Sequence, residues 1–271
     1  MIKIFIYISN FLYILLYYMN QNKIIPYVSL LAIISIIIVA IYNSAFKGGR
    51  FTCNRYILNS YLYILLILVT IVLQVKFMDE KNVSVLDIFK YFNGILGFII
   101  LLFLVIGLLF VLMYIPPKFV LIKHIVFLLF ALVLGILAYP SYMKSKQENT
   151  LVSVMFSLVG ILFFFTAVAF IKPDLISLSW GPILLFLLIG MIIAQVVFMV
   201  MNRNNPNAKR PKVFAYILIV LFIFFLLYDT KKIQVNAKKC ITEKADYINE
   251  SLGVILDVLN LFQNLVAAQG H

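Results

Sequence analysis

Cysteine and histidine are almost missing from these 271 residues: Cys53, Cys240, His124 and His271 are the whole supply. Two of each cannot assemble a Cys/His zinc constellation. Loop counting places Cys53 and Cys240 on the same membrane face, where we read them as unpaired thiols in a reducing cytosol rather than as a disulfide. His124, near a segment start, reads as an interfacial residue rather than a ligand. Charge is also scarce, at 12% of residues, and acid scarcer still: 10 Asp and Glu stand against 22 Lys and Arg. On a soluble domain that surplus would point to nucleic acid. Here the bases sit in short loops between apolar runs, and none of these basic stretches is long enough to read a groove, so anchoring and topology account for the charge and nucleic acid is not a partner. Nucleophile motifs and phosphate-cradling glycine loops are absent, as is the Gly-x-Gly-Asp of intramembrane aspartyl proteases, so the chain is not read as an enzyme.

What the chain does have is apolar surface. It is 65% hydrophobic with 15% aromatics, and its mean hydropathy is +1.10. No soluble domain of this size buries so much apolar side chain, which makes it a polytopic membrane protein whose first partner is the lipid bilayer. Apolar runs long enough for a ~30 Å hydrocarbon layer recur. They lie at about Ile4–Met19, Ile25–Tyr42, Tyr56–Val75, Phe92–Tyr114, Phe119–Tyr139 (ended by Pro140), Leu151–Ile171, Gly181–Met201, Val213–Tyr228 and Ile248–Ala268. Runs of this length are helices, because barrel strands would be shorter and would alternate apolar with polar. The fold class is therefore an all-α polytopic membrane protein. Met1–Met19 lacks a clean small-x-small cleavage site and reads as a retained segment rather than a signal peptide. Lys and Arg divide almost evenly between the two sides, so the positive-inside rule decides little about orientation.

Two acids break the apolar pattern. Asp257 lies inside "NESLGVILDVLNLFQNLVAA", and Asp229 closes "VFAYILIVLFIFFLLYD". A carboxylate at membrane depth costs roughly 2.5–3.5 kcal/mol even on a lenient insertion scale, so such residues mark function. On a helix, Asn249, Gly253, Asp257, Asn260 and Asn264 share one face, a polar stripe on an otherwise apolar segment. Asp257 lies about 14 Å along that helix at 1.5 Å per residue. Asp229 reaches the same depth if its helix continues past it, and "YDTKKIQV" holds no breaker. We therefore expect that helix to run to about Gln234, with Lys231 and Lys232 snorkelling to the surface. Two carboxylates about 4 Å apart repel by roughly 4 kcal/mol at an effective dielectric of 20. The expected resting state is one shared proton, and its loss forces the pair apart or recruits a cation. The oxygens on offer are fewer than a tight calcium cage requires, so no tightly bound metal is expected.

These residues resemble a known family. "YDTKKI" followed by "ILDVLNLFQNLV" is similar to the C-terminal signature of the transmembrane Bax inhibitor motif (Bax-inhibitor) family. "FTCNRYILNSYLYILLILVTIVL" resembles its first core helix, "LVIGLLFVLMYIPPKFVLIKHIVFLLFALVLGILAYP" its second and third, and "FFFTAVAFIKPDLISLSW" its fourth with the turn into the fifth. The likeness covers about Phe51 to Ala268. It implies a seven-helix bundle around a central C-terminal helix over 51–271, with one or two extra membrane segments in 1–50. It implies further that Asp229 and Asp257 form a pH-sensitive pair that gates a calcium leak and contacts the cation, supported by Asn249, Asn260 and Asn264, and that Asp174 has a structural place in the turn before the next helix. Calcium would be the transported ion, with no resident cofactor. Relatives sit in organelle membranes such as endoplasmic reticulum and Golgi, or in bacterial plasma membranes, and many eukaryotic and viral members restrain cell death. One departure stands out: relatives carry a charged residue inside the second core helix, and "FNGILGFIILLFLVIGLLFVLMY" carries none. The alternative reading is a structural protein of a viral envelope or other large membrane assembly, held by membrane-protein partners and without transport activity.

Overall fold

A computed structural model describes residues 25–83, 95–202, 211–241 and 244–270. The expected first segment, Ile4–Met19, lies outside them. The described residues form eight α-helices: α1 Ile25–Ala45, α2 Tyr56–Glu80, α3 Ile95–Tyr114, α4 Val120–Gln147, α5 Leu151–Ile171, α6 Trp180–Met201, α7 Lys212–Lys238 and α8 Tyr247–Gln269. A short hairpin, β1 Phe46–Lys47 with β2 Arg50–Phe51, joins α1 to α2, and a single 3-10 turn, Pro173–Leu175, joins α5 to α6. All helices but α3 are long and apolar enough over their described residues to cross a membrane; the corresponding run in α3 is Phe103–Tyr114. The chain is an all-α multi-pass membrane protein.

Local chemistry explains the boundaries. Gly48 and Gly49 both take positive φ in the two-residue hairpin turn, a conformation that costs glycine nothing. The turn pairs Phe46 with Phe51, whose rings stack 4.8 Å apart. At the end of α2, Asn82 adopts a left-handed conformation, its N–H donates to the Asp79 carbonyl, and the Val83 N–H reaches back to Met78. Asn149 closes α4 by the same device, with N–H bonds from Asn149 to Lys146 and from Thr150 to Ser145. This Schellman pattern satisfies carbonyls that a helix end leaves unpaired.

Two expectations need correction. The helix expected to end at Pro140 runs through it to Gln147. Proline removes one donor, which membrane helices tolerate because neighbours re-satisfy the freed backbone, and the last turn gains Lys144 and Lys146 against the helix dipole. The cysteines are not free thiols either: Cys53 and Cys240 form a disulfide, with Cα atoms 5.8 Å apart at a sequence separation of 187.

The chain divides into two compact units. One takes in the described part of Met1–Met143 together with Val235–Ile255, and the other takes in the described part of Lys144–Gln234 together with Leu256–His271. In the first, α1 packs along α2, where the Ser44 hydroxyl donates to Asn59 Oδ1 at 2.5 Å. In the second, Ala169, Ile176 and Leu227 form a small core joined by Phe165, Val168, Trp180 and Ile223, which seats α7 against the end of α5 and its turn. Large apolar side chains such as Phe103, Leu121 and Phe186 point outward, about 70% exposed or more, as lipid-facing residues do. Burial is greatest along α8, at 67% of its apolar window against 6% for α6.

Candidate functional site

α7 does continue past Asp229, ending at Lys238. Nothing in the run interrupts the backbone ladder, and the buried positions Leu226, Thr230 and Ile233 follow one another at spacings of four and three along one face. Two side-chain bonds to backbone fix this stretch of α7. Lys231 Nζ donates to the Pro173 carbonyl at 2.9 Å, and Gln234 Nε2 donates to the Ala169 carbonyl at 3.0 Å. Lys231 thus closes the turn after α5 instead of simply snorkelling outward, while Lys232 is exposed.

Asp257 is 4% exposed, and its carboxyl lies beside that of half-buried Asp229. Two carboxyl groups bond to each other only when one of them carries a proton, because an ionised carboxylate is an acceptor alone. The second oxygen of Asp257, Oδ2, is buried without a partner. An unsatisfied buried acceptor costs about 1–3 kcal/mol, more when charged. Two carboxyl groups thus stand side by side, one of them with an unspent oxygen.

The other residues singled out in the sequence are arranged differently. Asn260 Nδ2 donates to the Leu256 carbonyl and Asn264 Nδ2 to the Asn260 carbonyl, each at 2.8 Å, so both amides turn back on their own helix. Asn249 belongs to the other unit and directs Nδ2 to the Met113 carbonyl at 3.4 Å. Asp174 is exposed in the first turn of the 3-10 segment, where an acid complements the helix dipole. Among the described residues no group of three or more His, Cys, Asp or Glu comes together as a metal site.

Comparison with known families settles the grouping: the family model for inhibitor of apoptosis-promoting Bax1 matches residues 53–269. The chain belongs to the Bax inhibitor family. No curated protein and no solved structure matches it. The matched span begins after α1 and the hairpin and takes in all of α2 to α8, Asp229 and Asp257 included.

This Bax inhibitor family member also holds a polar cluster that the sequence reading missed. In the first unit, Lys123 is fully buried, and its Nζ forms a short ion pair with Asp246 and donates to the Ile115 carbonyl at 2.8 Å. Asp246 also caps α8, since its Oδ1 accepts the Asn249 N–H at 3.2 Å. Burial pushes the Asp246 carboxyl above the usual carboxylate range, and Lys123 pulls it back down. Beside them, His124 Nδ1 lies 2.7 Å from the Val120 carbonyl, so Nδ1 carries the proton and, in the neutral ring, Nε2 accepts from the Tyr63 hydroxyl at 2.6 Å. The Phe46, Phe51 and Tyr63 rings enclose the imidazole. The cap signal was present in the sequence, as an Asp directly before an amphipathic run. Its partner stands 123 residues away and carries no local mark.

Proposed function

We propose that this protein modulates cell death by permitting a pH-dependent calcium leak across its membrane, and that Asp229 and Asp257 are gate and cation contact. What supports this reading is the nearness of the two carboxyl groups, one on α7 and one on α8, with Asp257 Oδ2 buried and unpartnered. With one proton shared, the pair holds the two helices together and presents no net site for a cation. As pH rises and the proton leaves, two negative charges remain. At about 4 Å they repel by roughly 4 kcal/mol at an effective dielectric of 20, which either parts the helices or draws a cation between the oxygens. A hard cation such as calcium suits carboxylate ligands, and so small a donor set binds weakly enough to release it. The protein acts here as a conduit and not as an enzyme.

Calcium efflux from loaded proteoliposomes tests the reading. Wild-type efflux is expected to rise with pH, and Asp257→Asn, which keeps a hydrogen bond but cannot lose a proton, to give low efflux at every pH. An Asp257→Asn variant with unchanged, still pH-dependent efflux would sink the mechanism.

A further inference from the structure

At one end of the first unit, chain segments far apart in sequence are tied to one another. Cys53, just after the hairpin, is bonded to Cys240, just after α7. The Tyr247 hydroxyl, on the first residue of α8, donates to the Thr52 carbonyl, with the Asn54 carbonyl 3.3 Å away. One residue earlier, Asp246 pairs with Lys123 of α4 and caps α8. The Tyr247 ring packs edge-on against Phe51 and face to face with Tyr63. The residues from Thr52 to Asn54 are therefore the anchor on which the start of α8 rests, and the covalent tie to that anchor lies six positions before the residue that satisfies a fully buried lysine.

We propose that the Cys53–Cys240 bridge is a redox-sensitive latch that holds the start of α8 in place and so keeps the Lys123–Asp246 pair closed. A dithiol reductant opens it: a thiolate attacks one sulfur, the S–S bond breaks, Cys53 and Cys240 each end as a thiol, and the reductant leaves as its own disulfide. The two electrons come from the reductant. Once the tie is gone, Asp246 is held only by its non-covalent contacts, water gains access to Lys123, and the first turn of α8 loses its fixed cap. Both thiols must lie on the same side of the membrane, on loops that a soluble reductant reaches; Cys240 is flanked by exposed Lys239 and Ile241. The latch stands apart from the aspartate pair, and its readout involves no ion flux.

The test is hydrogen exchange of the full chain in detergent micelles, before and after dithiothreitol, followed by mass spectrometry. Reduction is expected to speed exchange at Ile248–Glu250 at least tenfold and to leave the Ser251–Gln269 amides unchanged. The Asn249 and Glu250 amides are the ones that bond to Asp246. Asp246→Ala is expected to give the fast exchange in the oxidised protein, with no further gain on reduction. Equal exchange at Ile248–Glu250 in both redox states overturns the proposal. So does exchange that rises throughout the chain, which would make the bridge a global staple, and so does thiol-blocking at isolation that finds Cys53 and Cys240 free. Because reduction acts on protein already folded, the test does not rest on a cysteine variant folding.

Discussion

Replacing Asp246 by Asn separates the charge on this residue from its capping role. Asparagine caps a helix about as well as aspartate, so the Asn249 N–H keeps its acceptor. What is lost is the anion beside Lys123, which is fully buried and, among the described residues, keeps the Ile115 carbonyl as its acceptor. Breaking a buried ion pair by removing one partner costs about 3–5 kcal/mol, because the remaining charge is stranded away from water. At about 2–4 °C per kcal/mol for chains of 150–250 residues, the unfolding midpoint should fall by roughly 6–20 °C. Lys123→Met in the same background removes the stranded cation and fills its volume, so the double variant should recover most of the loss. The assay is thermal unfolding of the purified protein in one detergent, with all four members of the cycle measured together. A double variant no more stable than Asp246→Asn would refute the reasoning, since it would show that the two side chains do not depend on each other. Asp246→Ala should lose about a further 1 kcal/mol through the missing cap.

Three further outcomes follow from named contacts. Cys53→Ser with Cys240→Ser should show, without any reductant, the fast exchange at Ile248–Glu250 that dithiothreitol gives the wild type, and dithiothreitol should add nothing to it. Gly181→Ala should cost about 1–3 kcal/mol, because a Cβ there would stand 2.7 Å from the Tyr228 hydroxyl oxygen, and the cost should shrink without vanishing in Gly181→Ala/Tyr228→Phe, since Cζ of the ring is still 2.9 Å away. Lys231→Met should weaken the turn after α5 by about 1.5–3 kcal/mol, read as faster hydrogen exchange at Leu175 and Ile176, since the Pro173 carbonyl loses a charged donor.

The readable parts of this protein are those set by local pattern. Apolar length and flanking breakers place α5 at Leu151–Ile171 to the residue, because Asn149-Thr150 and Lys172-Pro173 bracket it. The absence of a breaker after Asp229 likewise foretells that α7 continues. Pro140 misleads because a soluble helix would stop there, whereas a membrane helix has nowhere else to satisfy its backbone and carries on. The spacing of the Asn residues along α8 is legible, but what their amides bond to is not: Asn260 and Asn264 turn to carbonyls four residues back. Long-range partners leave the least trace. Lys123 looks like one more flanking base, Asp246 like part of a polar linker, and the two cysteines like incidental thiols. Only the fold shows that the same few loops bring all four into one unit.

The proposed gate requires a proton shared between Asp229 and Asp257 that holds α7 to α8. The most direct measurement is the separation of the two carboxyl groups in experimental structures determined at acid and at alkaline pH. Hydrogen-bond contact is expected at acid pH and, at alkaline pH, either separation or a cation between the oxygens. Carboxyl groups in the same contact at both pH values, with nothing between them, would contradict it.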